Sequence, residues 1–273
     1  MKFSVLMSIY AATRLDDLER CLESLAQQTL QPDQIVLVYD GPVDACVENW
    51  IENRARQMPL YCLKFPTNRG LGPALRDGLI ACKHDLVARV DSDDWSVPER
   101  FEIQVDHLLN NPSISVIGGW LKEYYPGISG SVGMIRRTPL EQMTLKRNAR
   151  RKNPLNHPTV MFRKYHVLAS GNYESCPLFE DYLLWAKMLM RGYHLSNLPK
   201  VLVETEIDTD YFARRGGLYY IRQEIHLLSK LYTIGFFSRS RSIIFFLSRL
   251  PMRLIPKRLR QHSYKLMLRG PSP

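Results

Sequence analysis

Dense apolar runs alternate with stretches of helical periodicity along the first half of the chain. Phe3 to Ile9 and Gln34 to Tyr39 are runs of strand length, the pattern of strands covered on both faces in a parallel sheet. Between them Leu15, Leu18, Leu22 and Leu25 recur at helical spacing, which predicts a helix with Thr13 as its cap and Asp16 three residues on. Strand, helix and strand make a βαβ unit. A second helix is predicted from Cys46 to Arg56 and a third strand from Leu60 to Phe65. The turn Asn68-Arg69-Gly70-Leu71-Gly72-Pro73 then opens a helix in which Pro73 suits a first position and Leu75, Leu79 and Cys82 form the buried stripe. Leu86 to Val90 reads as a fourth strand, Pro98 to Asn110 as a helix and Ile114 to Gly118 as a fifth strand. This alternation predicts an α/β fold, a Rossmann-like, doubly wound, mostly parallel sheet.

Beyond residue 119 the pattern loosens. Gly127 to Arg151 is rich in turn formers and bases and reads as a mobile loop. His157 to Phe162 is expected to be a strand, Glu180 to Met190 a helix and Val201 to Glu206 a late strand. Leu218, Ile221, Ile225, Leu228 and Leu231 mark an amphipathic helix. The run Ile243 to Leu247 follows, with Pro251 and Pro256 expected to break it up. The organisation predicted is an α/β body over residues 1–210 and a basic, helical C-terminal segment over 211–273.

Composition changes this picture only where charge is mapped. The 45% apolar content of 273 residues supports a substantial core. Cys21, Cys46, Cys62, Cys82 and Cys176 include no Cys-x-x-Cys pair, which argues against a disulfide framework and a thiolate metal site and for a reducing compartment. The first residues lack the cleavage site of a signal peptide, and no apolar stretch reaches the roughly 18 residues that span a bilayer. A soluble, cytoplasmic body is therefore expected. The net charge is +10, yet Glu224 is the last acid and ten bases, Lys230 to Arg269, follow it. Residues 1–224 hold 27 bases against 27 acids, so the whole excess sits in the tail. The run Ile243 to Leu247, set among Arg239, Arg241, Arg249 and Arg253, suits a segment lying on an anionic membrane surface, to which residues 225–273 would bind with about 1 kcal/mol per base. The alternative is that its apolar groups pack on the body and its bases are merely solvated. Zinc-finger spacing and the aromatic RNA-binding strand motif are absent, so nucleic acid is not an expected partner.

Ligands of open α/β sheets bind beyond the carboxyl ends of the strands. Asp40-Gly41 follows the second strand and Asp91-Ser92-Asp93-Asp94 the fourth. Three carboxylates within four residues repel one another unless a cation lies among them. Oxygen donors without His or Cys favour Mg²⁺ or Mn²⁺ over zinc, and such a cation would bridge a diphosphate and offset the charge growing on it. Taken alone, the string is equally a solvated turn capping the next helix. The Asn68 to Pro73 turn offers close backbone approach and a helix amino terminus, with Arg69 and Arg76 nearby, but its spacing matches no nucleotide-binding fingerprint. Glu180-Asp181 opens a helix, where acids ordinarily complement the dipole and keep their charge. A transferase also needs one carboxylate as a base. His157 reads first as structural, with contact to phosphate or metal as the alternative.

Six segments in this order resemble those of the family 2 glycosyltransferases with the GT-A fold: Ser4 to Tyr10, Ile35 to Gly41, Asn68 to Leu71, Asp91 to Asp94, His157 to Arg163 and Phe179 to Asp181. The resemblance covers roughly residues 2–210 and is closest to bacterial enzymes that build O-antigen, capsule or exopolysaccharide. It implies an inverting, metal-dependent hexosyltransferase. The donor would be a nucleotide-sugar, commonly a UDP-hexose, and the acceptor a lipid-linked saccharide at the inner face of the bacterial inner membrane. Residues 1–118 would be the nucleotide-binding half and 119–210 the acceptor half. Ser8 and Asp40 would hold the nucleobase end, with Arg69 near the nucleotide. Asp91 and Asp93 would serve ribose and metal, with Asp91, Asp93 and Asp94 as candidate metal ligands and the last two favoured. Asp181 matches the general base, with Glu180 beside it. Arg163 and Trp185 either line the acceptor site or serve core or rim packing, and Arg214 and Arg215 are either a diphosphate loop or a solvated basic turn. Tyr10-Ala11 departs from the common Tyr-Asn, and the Gln-x-x-Arg-Trp pattern of processive synthases is absent, which implies one sugar per encounter. A nucleotidyltransferase acting on sugar phosphates would share the strand-end carboxylates but has no need of Glu180-Asp181.

Overall fold

The computed structural model describes residues 1–125, 133–207 and 215–255. Its first four strands, β1 (Phe3–Ile9), β2 (Gln34–Tyr39), β3 (Leu60–Lys64) and β4 (Leu86–Arg89), are parallel and lie in the order β3-β2-β1-β4. Helices α1 (Leu15–Ala26), α2 (Ala45–Arg54) and α3 (Leu71–Ala81) connect them. The apolar runs are dense because both faces are covered. Phe3, Val5, Met7 and Ile9 share one core with Leu18, Leu22 and Leu25 of α1. Leu6 and Val38 face α3, where a Cβ on Gly78 would stand 2.6 Å from each of them. Strand order reverses at β1, so the crevice at the carboxyl ends of β1 and β4 is where this sheet can hold a ligand.

The rest of the sheet departs from simple alternation. After β4 come β5 (Asp94–Ser96), α4 (Arg100–Asn110), β6 (Ile114–Tyr124), β7 (Met134–Arg136), α5 (Gln142–Ala149), β8 (Met161–Arg163), α6 (Lys164–Ala169), α7 (Glu180–Met190) and β9 (His194–Glu206). The order continues β4-β8-β6-β9-β5, with β7 on β6. Strand β8 is antiparallel to both β4 and β6, so the predicted fifth strand does not lie beside the fourth. Strand β6 runs through residue 118, and the two halves of the body share one sheet.

Four local expectations are corrected. The stretch read as a mobile loop contains β7 and α5 among its described residues; Leu145 and Ala149 anchor α5, and Gln142 holds Tyr193 O and Leu195 N (3.3 and 2.9 Å). Its bases misled because Lys146 and Arg147 sit in the helix's last turn, where they complement the dipole. Pro158 places His157–Thr159 in a 3-10 turn, and only Met161–Arg163 is strand. Thr13 accepts from Tyr10 N (3.0 Å) and caps nothing; α1 begins after Arg14 with no side-chain cap. Pro251 lies inside a helix instead of breaking it.

That last helix belongs to a second compact unit, whose described residues form α8 (Leu218–Thr233) and α9 (Arg239–Leu254). Glu224 of α8 is 1% exposed and receives Arg253 Nε (3.2 Å), Arg253 Nη2 (3.4 Å) and Arg249 Nε (3.4 Å) from α9. Phe245, one turn before Arg249, is buried on the same side, whereas Ile243, Leu247 and Leu254 are each more than half exposed. Two of the ten tail bases are therefore paired with the last acid. Replacing Glu224 with Gln should cost about 3 kcal/mol by leaving two guanidinium groups short of their counter-charge. Hydrogen exchange over residues 218–254 checks this, and unchanged protection would contradict it.

Candidate active site

The site begins where β1 and β2 end. The Asp40 amide donates to Ile9 O (2.8 Å), and its carboxylate accepts from Arg69 N (2.7 Å) and Gly70 N (2.9 Å). Asn68 Nδ2 donates to Asp40 O (3.1 Å). Gly41 has φ +89°, and a Cβ there would lie 2.7 Å from Asn68 N, so only glycine lets the two loops meet. Asp40 thus braces the Asn68–Gly70 turn at the start of α3. The Arg69 guanidinium lies over Phe65 (3.5 Å) and pairs with Asp77 (2.8 Å). Ser8 is half-buried one residue before Ile9 and lies opposite Val38 of β2.

Strand β4 delivers the acid cluster. Its last residue, Arg89, is buried and pairs through Nη2 with Asp91, whose carbonyl accepts from the Cys21 thiol (3.2 Å). Asp93 is exposed at its surface but has protein on most sides; that desolvation, and then the Asp91 charge, push its carboxyl up to about 6. Asp94 lies in β5 opposite Thr205 and is buried; burial, then Asp91 and Asp93, raise it well above the carboxylate range. Among the described residues no group of three His, Cys, Asp or Glu side chains is arranged to hold a metal. Of the candidate ligands Asp91, Asp93 and Asp94, the last is buried in β5, whereas Asp91 and Asp93 reach the surface. A hard cation needs less: Mg²⁺ is ordinarily held by one or two carboxylates plus substrate phosphates. Asp91 and Asp93, oxygen donors that repel each other, fit that requirement.

The second acid pair comes from α7. A Cβ on Gly72 would stand 3.0 Å from Glu180 Cγ and 2.4 Å from Glu174 O, so the start of α3 rests directly on the start of α7. Glu180 is buried and its carboxyl is pushed up to about 7, chiefly by desolvation, with the neighbouring Asp181 charge adding to it. Asp181 is also raised by burial, against the opposing hydrogen bonds of Asn153 and the Tyr182 amide and the charge of Arg89. Asn153 Nδ2 holds Oδ2, and Tyr182 N donates to Oδ1 at 2.7 Å. Burial thus acts on both acids in the direction opposite to the helix dipole. His157 Nε2 shares a 2.9 Å hydrogen bond with the Tyr173 hydroxyl and packs edge-on against Trp185. Burial, then Arg89, lower its pKa well below the usual value, so the ring is neutral.

The structure thus brings Ser8, Asp40, Arg69, Asp91, Asp93, Glu180 and Asp181 to one end of the sheet. It does not bring Arg163 there. Arg163 pairs with Leu86 at the opposite end of β4, and its guanidinium caps Leu108 O (2.8 Å) and Ile114 O (3.1 Å). Trp185 is fully buried, a wall for His157 and not an exposed lining. Arg214 lies outside the described residues, and the Arg215 carbonyl accepts from Arg253 (3.0 Å) within the second unit. Sequence reasoning missed two residues. Arg89 carried a legible sign, a charge inside a buried strand just before the acids. Asn153 carried none, since its contact with Asp181 spans 28 residues.

A family model described as glycosyl transferase family 2 matches residues 4–169. The chain is 37% identical over 268 residues to the amylovoran biosynthesis glycosyltransferase AmsE of Erwinia amylovora, covering 98% of this chain and 100% of that one. It is 34% identical to the UDP-Gal:alpha-D-GlcNAc-diphosphoundecaprenol beta-1,3-galactosyltransferase of Escherichia coli, covering 98% and 97%. Among solved structures, S. aureus TarS 1-349 in complex with UDP-GlcNAc shares the fold at TM-score 0.66 and 18% identity, over 93% of this chain and 72% of that one. The chain belongs to glycosyltransferase family 2, and its sheet is the GT-A fold.

The raised acids make stability pH-dependent. Glu180 titrates near 7 in the folded chain against an ordinary 4.5, so between these values the folded state binds more protons than the unfolded. Stability therefore falls as pH rises from 4.5 to 7, by about 3 kcal/mol from this group alone. Thermal melts across that window should show the wild type losing more than Glu180→Gln. Equal slopes would contradict the burial-driven shift.

Proposed function

We propose that this chain is an inverting, metal-dependent hexosyltransferase that adds one sugar from a UDP-hexose to a lipid-linked saccharide in bacterial surface-polysaccharide assembly. The observation that carries the reading is that the Asn68–Gly72 turn, braced by Asp40, rests on the start of α7 with its two acids, at the carboxyl end of the parallel strands where Asp91 and Asp93 also follow β4. A donor's leaving diphosphate would lie by Asp91 and Asp93 and the acceptor hydroxyl by the acids of α7. The relatives support the substrate classes by their names alone: one is named for amylovoran biosynthesis, one for UDP-Gal and a GlcNAc-diphosphoundecaprenol.

Each oxygen of Asp40 accepts one backbone amide and keeps another lone pair, available to an N–H of a uracil base. Ser8, half-buried near the end of β1, would hold the same end of the donor. Arg69, fixed over Phe65, stands at the nucleotide's edge. A divalent cation, as family members generally use, would be held by Asp91 and Asp93 with the donor's diphosphate and would offset the charge on the departing UDP. Asp181 takes the acceptor proton; its raised pKa makes it a stronger base than an exposed aspartate, and Asn153 and Tyr182 N fix its two oxygens. The acceptor oxygen then attacks the anomeric carbon as the bond to UDP breaks on the opposite side, and configuration inverts. Replacing Asp181 with Asn should lower kcat by about 10² to 10⁴ while UDP affinity changes little. Retention of full activity would remove Asp181 from the mechanism.

Reaching a lipid-linked acceptor calls for a membrane surface. Among the described residues no helix is long and apolar enough to cross a bilayer. The exposed Ile243, Leu247 and Leu254 stripe of α9, on the side away from Arg249 and Arg253, suits peripheral binding at the inner face of the inner membrane. The chain should sediment with phosphatidylglycerol vesicles and not with phosphatidylcholine ones, in a salt-sensitive way, and Leu247→Glu should weaken this. Equal recovery with both lipids would contradict the electrostatic part.

A further inference from the structure

The basic stretch around α5 has no role in the site so far. Residues 133–153 carry seven bases against one acid, Glu141. Residues 1–224 balance 27 bases against 27 acids, so the remainder of that span holds 20 against 26. Its neutrality hides a polarised charge, with the positive part gathered on one short segment. The helix orders that charge. Met143, Lys146, Arg147 and Arg150 stand at i, i+3, i+4 and i+7 along α5 and its C-cap, and all four are exposed, while Leu145 and Ala149 are fully buried. Arg151 and Lys152 follow, also exposed, with both amides turned onto Asn148 O (2.7 and 3.0 Å). Apolar groups lie in the same segment: Met143 is 80% exposed, and Met134, Ile135 and Leu140 are exposed too.

This segment is tied by contact to the first turn of α7. Ala149 O accepts from the Tyr182 hydroxyl (2.5 Å), and Asn153 Nδ2 donates to Asp181. A rigid face that is both basic and apolar therefore ends at the residue holding Asp181. Its occupant follows from how the charge is spread. A site for one small anion turns its donors inward and buries them, whereas Lys146, Arg147, Arg150, Arg151 and Lys152 all stand at the surface beside apolar side chains. Spread bases interleaved with apolar groups match an extended anionic surface with an apolar layer beneath it, which is an anionic lipid bilayer. We propose that the outer face of α5, with Arg150 to Lys152, is a membrane-docking surface of the catalytic unit itself, additional to α9, that sets the acceptor end of the site against anionic lipid. For its purpose it rests on the reading of a lipid-linked acceptor.

The test is sedimentation of the full chain with phosphatidylglycerol vesicles, comparing the wild type with Lys146→Gln/Arg147→Gln, two exposed positions outside the catalytic groups. Losing two bases at about 1 kcal/mol each should weaken the partition coefficient about 30-fold, with the melting temperature nearly unchanged. Partitioning equal to the wild type's overturns the proposal and leaves α9 as the contact. Inorganic diphosphate, added at constant ionic strength, should not release the wild type from the vesicles. Release by it would reveal a small-anion site in place of a lipid surface and overturns the proposal as well. The measurement needs neither donor nor acceptor, so a chain that binds these vesicles through Lys146 and Arg147 yet transfers no sugar would sink the functional reading and leave the docking surface standing.

Discussion

Crowding of negative charge is the constraint from which the rest of this site follows. Asp91, Asp93, Asp94, Glu180 and Asp181 gather at the carboxyl ends of a parallel sheet, and burial raises four of them above their ordinary values, with neighbouring acids adding to the shift at Asp93, Asp94 and Glu180. Buried anions persist only beside compensating charge or hydrogen bonds. Here the compensation is local: Arg89 for Asp91, Asn153 and a backbone amide for Asp181, Thr205 for Asp94. Asp93 is the one of these acids exposed at its surface, where a cation arriving with a substrate would meet it.

The fold makes that concentration possible because the acids come from two parts of the chain, Asp91, Asp93 and Asp94 from the segment joining β4 to β5 and Glu180 and Asp181 from the start of α7. Asp40 holds the α3 turn, Gly72 seats that turn on Glu180, and Arg89 is fixed by backbone bonds before the acid cluster begins. A 1 Å displacement would matter for such a reaction, which is why a tight chain of backbone contacts lies behind few functional side chains.

The parallel half of the sheet was legible because burial on both faces leaves dense apolar runs in β1, β2 and β4. The antiparallel insertion of β8 was not, since a three-residue strand after a 3-10 turn has no period to detect. The acids at strand ends were legible from topology, and the resemblance named their roles. Which acid faces the site was not, because Asp94 is turned inward by a strand pairing with residue 205, over a hundred positions away. Arg163 misled for a similar reason: it ends its motif in sequence, yet antiparallel pairing carries it to the far end of β4. In the tail, charge counting found the basic excess but not that Glu224 takes up two of its arginines.

The central claim is that carboxylates from separate elements surround one donor diphosphate. A crystal structure of the chain with UDP and Mn²⁺ tests it most directly. The account predicts a metal about 2.1 Å from an oxygen of Asp93 or Asp91 and from the diphosphate, with the uracil at Asp40 and Asp181 facing the open side. A nucleotide bound away from β4, or a metal held by none of these acids, would contradict it.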